Sequence, residues 1–170
     1  MIKFITSQWD DNADQFMRHQ GKWRNAKGTE YCAGVMYNRD IFIIYSSPRT
    51  RTDLVEGESW KEVNVFSDWK KLYKHTNLTK DQKRKVRNYL LYQGMSWAFR
   101  EPAIDGVWGR IFACNKGVNA LAGHFANKPL IPTGKYSKAS GNEFLEWRYT
   151  REEFVTGPIP QLAKDSVYNF

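Results

Sequence analysis

Ser67 to Arg100 reads SDWKKLYKHTNLTKDQKRKVRNYLLYQGMSWAFR, and the rest of the chain is arranged around it. Its spacing predicts two consecutive helices, SDWKKLYKH and KDQKRKVRNYLLYQGMSWAFR, joined by the turn TNLT. Thr79 followed three residues later by Gln82 is a capping box, in which the Thr hydroxyl accepts from an early backbone N–H and the Gln reaches back to the cap. At about 100° per residue, Lys80, Lys83, Arg84 and Arg87 share one arc, and Gln82, Val86, Tyr89, Leu90, Gln93 and Trp97 an adjoining one. Gly94 falls inside this pattern, and Trp97 in phase with Val86 and Leu90 predicts that the helix runs through it towards Pro102. Ser67 caps the shorter helix, with Trp69, Leu72 and Tyr73 as its apolar stripe.

Charge is concentrated in the same place. Residues 67–100 carry nine Lys and Arg against Asp68 and Asp81, whereas residues 1–66 are balanced and residues 101–170 are nearly so. The formal net charge of +8 is therefore almost wholly one segment. Such a concentration supports a surface facing a polyanion. The residues assigned to it are Lys70, Lys71, Lys74, Lys80, Lys83, Arg84 and Arg87.

A chain of 170 residues is long enough to build one domain with a real core. Seven Trp, nine Tyr and ten Phe predict a core of large side chains, with some aromatics left for a binding face. Two cysteines, Cys32 and Cys114, form neither a metal pattern nor a disulfide framework, and free thiols buried in strands suit a reducing cytoplasm. MIKFITSQWDD lacks the apolar run of a secretory signal, and no apolar stretch longer than Ile41–Tyr45 approaches a membrane span. A cytoplasmic protein without membrane contact is the expectation.

Moving outward, Ile2–Thr6 reads as a strand, and Asp10, Asp11 or Asn12 open a helix that buries Ala13, Phe16 and Met17 and ends at Gly21. Glu30–Tyr37 and Ile41–Ser46 flank Asn38-Arg39-Asp40 as a hairpin. Residues 41–45 are apolar on both faces, which predicts a central strand. Pro48–Ser59 reads as an exposed loop carrying Arg49 and Arg51, and Trp60–Phe66 as a strand. Beyond the helices, Val107–Cys114 is a strand, Lys116–Asn127 a helix, Lys128–Gly141 a long surface loop and Glu143–Tyr149 a strand. Thr150 and Glu153 form a second capping box, and Gly157-Pro158-Ile159-Pro160 closes the fold. The sum is a single α+β domain over residues 1–170, with a mainly antiparallel sheet of about five strands and the basic helical hairpin of residues 67–100 inserted between strands.

Two helices with a basic second member invite a helix-turn-helix reading, but base-reading side chains are sparse, with Asn88 the nearest, so phosphate contacts without sequence preference are the better form of it. The function expected is a non-enzymatic protein that binds DNA or RNA by its phosphates. One alternative is a viral accessory or virion assembly protein whose basic face meets an acidic protein. A second is a Mg²⁺-dependent nuclease, in which Asp53, Asp68 and Lys70 form part of a (D/E)xK site. His19, His75 and His124 show no ligand spacing, although His124 beside Glu143 or Glu146 is a possible general base. Thr133-Gly134-Lys135 lacks the rest of a phosphate loop. No cofactor, catalytic residue, metal ligand or oligomeric state is assigned.

Overall fold

The computed structural model describes residues 2–19, 30–36, 40–54, 56–74, 77–116 and 130–164. Seven strands among them form one sheet: β1 (Ile2–Gln8), β2 (Glu30–Met36), β3 (Asp40–Arg51), β4 (Trp60–Ser67), β5 (Gly106–Phe112), β6 (Ile131–Tyr136) and β7 (Glu143–Thr150), in the order β1-β2-β3-β4-β5-β7-β6. Every neighbouring pair is antiparallel except β4 and β5, which run parallel. A parallel pair needs a crossover. It is supplied by α2 (Trp69–Tyr73) and α3 (Lys80–Phe99).

The expected sheet of about five mainly antiparallel strands with an inserted helical hairpin is thus corrected to a mixed sheet with a crossover. The two basic helices are no separate platform. α3 is the central crossover, and its apolar side lies across the sheet.

β3 is interior and apolar on both faces, as its sequence requires, and it divides the core. Phe42, Ile43 and Tyr45 join Val63, Val65, Leu72, Val86, Leu90, Met95, Val107 and Tyr149 on the α3 side. Ile41 and Ile44 join Tyr31, Ala33, Val35 and the buried Ala13, Phe16 and Met17 of α1 (Asp11–His19) on the other. Asp10 starts α1 by accepting from the Ala13 N–H at 3.0 Å, and Trp9 Nε1 donates to Asp14 at 2.6 Å.

Gly94 lies in the middle of α3 because the ring of Tyr45 presses on it: a Cβ there would sit 1.8 Å from a ring carbon. The Tyr45 hydroxyl completes the contact by donating to the Leu91 carbonyl at 3.2 Å. The buried face of α3 accordingly follows Val86, Leu90, Leu91, Gly94, Met95 and Ala98, with Trp97 only half-buried. Both capping boxes are present, Thr79 with Gln82 at α3 and Thr150 with Glu153 at α4 (Arg151–Thr156).

Four further expectations are corrected. Asp68, not Ser67, caps α2, accepting from the Lys71 N–H at 2.9 Å. β3 continues past a bulge to Arg51, through what reads as loop. Residues 131–136, read as loop, form the edge strand β6. Finally, α5 (Ile159–Lys164) follows the Gly-Pro turn and buries Ile159 and Ala163. Cys114 is a free thiol but exposed, while the side chain of Cys32, the turn at 37–39, Gly21, most of the helix expected from Lys116, and His75 and His124 lie outside the described residues. Among the described residues no helix is long and apolar enough to cross a membrane.

Candidate functional site

The parallel strands β4 and β5 are paired over three residues only: Glu62 with Gly106, Val63 with Val107, and Asn64 with Trp108. Past that rung they part. Val65, Phe66 and Ser67 remain registered with β3, and Gly109 to Phe112 with β7, but not with each other. β3 slips register between Ser46 and Arg49, opposite Glu62 to Asn64, the residues that pair with β5. A bulge bends its strand and raises the local twist. Beyond Asn64 and Trp108 a wedge lies between two strand edges at the carboxyl end of the parallel pair.

The last paired rung carries two polar groups that a closed sheet would not tolerate. Asn64 Oδ1 and Trp108 Nε1 are buried and have no hydrogen-bond partner among the described residues. Each such group costs about 1–3 kcal/mol when left unmet. One acceptor and one donor at the apex of a wedge are what a polar ligand would satisfy.

Side chains alternate along strands, so Glu62 and Asn64, Trp108 and Arg110, and Glu146 and Arg148 share one face of the sheet with Arg49 and Arg51. Glu62, fully buried, is saturated there. Its Oε2 accepts from Arg148 Nε at 2.5 Å and from Trp60 Nε1 at 2.9 Å, and its Oε1 accepts from Arg148 Nη2 and Arg49 Nε, both at 3.0 Å. Glu146 Oε1 accepts from Arg148 Nη2 at 2.6 Å, Arg51 Nη1 at 2.9 Å and Arg49 Nη2 at 3.3 Å. The Arg49 guanidinium also lies over Trp108, its central carbon 3.3 Å from the ring centroid.

Burial alone would raise the Glu62 carboxyl, but the hydrogen bonds and charge of Arg148, with those of Arg49 and Trp60, hold it below the usual carboxylate range. Burial also opposes the charged form of Arg148, and Glu62 and Glu146 reverse that and raise it. At Arg49 burial prevails and the value is lowered despite Glu62. Asp53, exposed, grips Arg51 with both oxygens, and that hydrogen bonding lowers it to about 2. A carboxylate held as Glu62 is held makes a weak general base, and it serves to fix the arginines.

The residues singled out from charge lie elsewhere, on α2 and α3 and the residues next to them. Lys71 donates to the Ile41 carbonyl at 3.1 Å, Lys83 to the Tyr73 carbonyl at 2.7 Å and Arg87 to the Tyr73 hydroxyl at 2.8 Å. Arg84 pairs with Asp81 at 2.6 Å, which Lys85 shares. Lys70, Lys74 and Lys80 are exposed. Asp68 is a helix cap and Asp53 an arginine clamp, and among the described residues no group of three or more His, Cys, Asp or Glu could hold a metal ion. The nuclease reading therefore loses its carboxylates. Sequence reasoning missed the arginine face, although a signal existed: Arg49 and Arg51, like Glu146 and Arg148, are spaced by two, which puts each pair on one face of a strand.

No protein-family model and no curated protein matches the chain. Among solved structures, NAA60 of Arabidopsis thaliana in complex with acetyl-CoA is similar, with a TM-score of 0.57 at 11% identity over 89% of this chain and 99% of that one. The same protein with a bisubstrate analogue gives 0.56 at 11% identity, covering 88% and 99%. An uncharacterized protein of Bacillus halodurans gives 0.55 at 10% identity, covering 98% and 92%. The chain shares the fold of these structures, a mixed sheet with one parallel pair flanked by helices. This likeness overturns the reading as a non-enzymatic nucleic-acid-binding protein, along with its viral-assembly and nuclease alternatives.

Proposed function

We propose that the protein transfers an acyl group from a coenzyme A thioester to an amine. The observation that carries the reading is the parting of β4 and β5 after three paired residues, in a fold shared with a protein whose structure holds acetyl-CoA. The residues present fit such a cofactor. Its pantetheine arm is a chain of amides, and the strand edges past Asn64 and Trp108 offer backbone donors and acceptors of the kind an added strand takes up. Asn64 Oδ1 and Trp108 Nε1 provide one further acceptor and one further donor at the apex.

The phosphates belong near the start of α3, where unpaired N–H groups and the helix dipole favour negative charge. Residues 67–93 contain no glycine. A backbone cradle of the glycine-rich kind is therefore absent from the approach to the helix, and the exposed Lys80 at its first position takes a share of the phosphate charge. The thioester supplies an activated carbonyl: attack by the amine nitrogen forms the amide bond, breaks the C–S bond and releases the thiol, while the amine gives up a proton. Trp108 Nε1, a donor without a partner among the described residues, suits the carbonyl oxygen on which charge develops.

Calorimetric titration with acetyl-CoA, together with thiol release in the presence of a panel of amines, tests the reading. Micromolar-range binding and amine-dependent thiol release are the expected results. Absence of binding at millimolar acetyl-CoA would refute it.

A further inference from the structure

We infer that the face of the sheet carrying Arg49, Arg51 and Arg148 recognises a carboxylate on the acceptor, so that the amine acylated belongs to an amino-carboxylate rather than to a polyamine. The inference rests on the acyl-transfer reading for the word acceptor, but the carboxylate site stands on its own geometry.

The first argument is the balance of donors and acceptors. Glu62 already accepts four hydrogen bonds, so an incoming cation finds no vacancy on it. The guanidiniums are in surplus. Among the described residues, Arg49 donates through Nε and Nη2 and Arg148 through Nε and Nη2, leaving the Nη1 group of each without an acceptor. The second argument is preorganisation. Arg49 is held over Trp108 by Glu62 and Glu146, and Arg148, with its side chain only 10% exposed, is held by the same two carboxylates. Little rotamer entropy remains to be lost when a planar anion docks on such forks.

The third argument is position. Trp108 stands opposite Arg148 on β7 and opposite Asn64 on β4, so the arginines border the rung at which the wedge opens. An anion held there places the rest of its molecule at the apex. The fourth is a stand-in. Asp53 already presents a carboxylate to the Nε and Nη2 of Arg51. Its side chain is 64% exposed, so a ligand carboxylate can displace it from outside.

Calorimetry on the full chain without coenzyme A reads the inference directly, with L-alanine, β-alanine and L-glutamate as probes and their carboxamides and putrescine as controls. At least one carboxylate is expected to bind on the order of tenfold or more tightly than its amide, since the fork loses a charged partner. Arg51→Gln should weaken that binding on the order of tenfold, and Asp53→Asn should tighten it by removing the competitor, with unchanged melting temperature for Asp53→Asn showing that the fold is intact. Equal binding of the amide, binding of putrescine alone, indifference to both variants, or no heat with any carboxylate overturns the inference. Carboxylate binding without thiol release from acetyl-CoA would leave it standing and remove the acyl-transfer reading. Thiol release with putrescine and not with amino acids would do the reverse.

Discussion

At the scale of single residues, three side chains behave against their local preference. Alanine is the better helix former by about 1 kcal/mol, yet Gly94→Ala is expected to lower stability by about 1–3 kcal/mol, because its Cβ would overlap the buried ring of Tyr45. Urea denaturation decides between packing and propensity: a gain in stability would mean that the ring moves freely. Asn64→Leu should act the other way, raising the melting temperature by removing an unmet buried acceptor while reducing coenzyme A binding. Glu62 has a folded-state value below its unfolded one. Its stabilisation is thus present above the ordinary carboxylate range near pH 4.3 and is lost as the pH falls through the lower, folded value. Glu62→Gln should cost about 3–5 kcal/mol at pH 7, because it strips the buried Arg148 of one of its two charged partners, and should flatten the loss of stability as the pH falls below the ordinary carboxylate range. An acid limb as steep as that of the parent would assign the effect to other carboxylates.

At the scale of elements, what was legible follows how local each signal is. The two capping boxes are visible in four residues each because the bonds that make them span three positions. Thr79→Ala should therefore destabilise the protein by about 1 kcal/mol, read as a shifted denaturation midpoint with unchanged slope. β6 was not legible. Its six residues contain Pro132 and Gly134, which is held at φ +66°, and they are strand only because β7 offers an edge and Thr133 donates its hydroxyl to the Phe144 carbonyl at 2.6 Å. The second half of β3 was misread for the same reason. Pro48 and a run of polar residues look like loop until Trp60 to Glu62 supply the partners. α5 likewise owes its existence to the core that receives Ile159, since Ile-Pro-Gln-Leu-Ala-Lys carries no strong start signal.

At the scale of the whole molecule, the segment with most of the charge is not the candidate site. Net charge is a sum, and it says where positive groups are numerous, not where they converge. In the folded chain Asp81 takes Arg84 and Lys85, and Tyr73 takes Lys83 and Arg87. The arginines that do converge come from β3 and β7, about a hundred residues apart in sequence, and their segments look electrically ordinary. If the wedge is a coenzyme A site, saturating coenzyme A should raise the melting temperature by an amount that grows with the logarithm of its concentration. No shift across that range would leave the wedge as architecture alone. The sequence by itself determined α1 to α4, the two capping boxes, the central apolar strand and the strands that alternate, because each depends on neighbours within a few positions. Only the tertiary structure decided that β4 and β5 run parallel and then part, and that Arg49, Glu62, Trp108, Glu146 and Arg148 meet on one face. Register between distant strands is set by the packing of the whole sheet, and no local pattern encodes it.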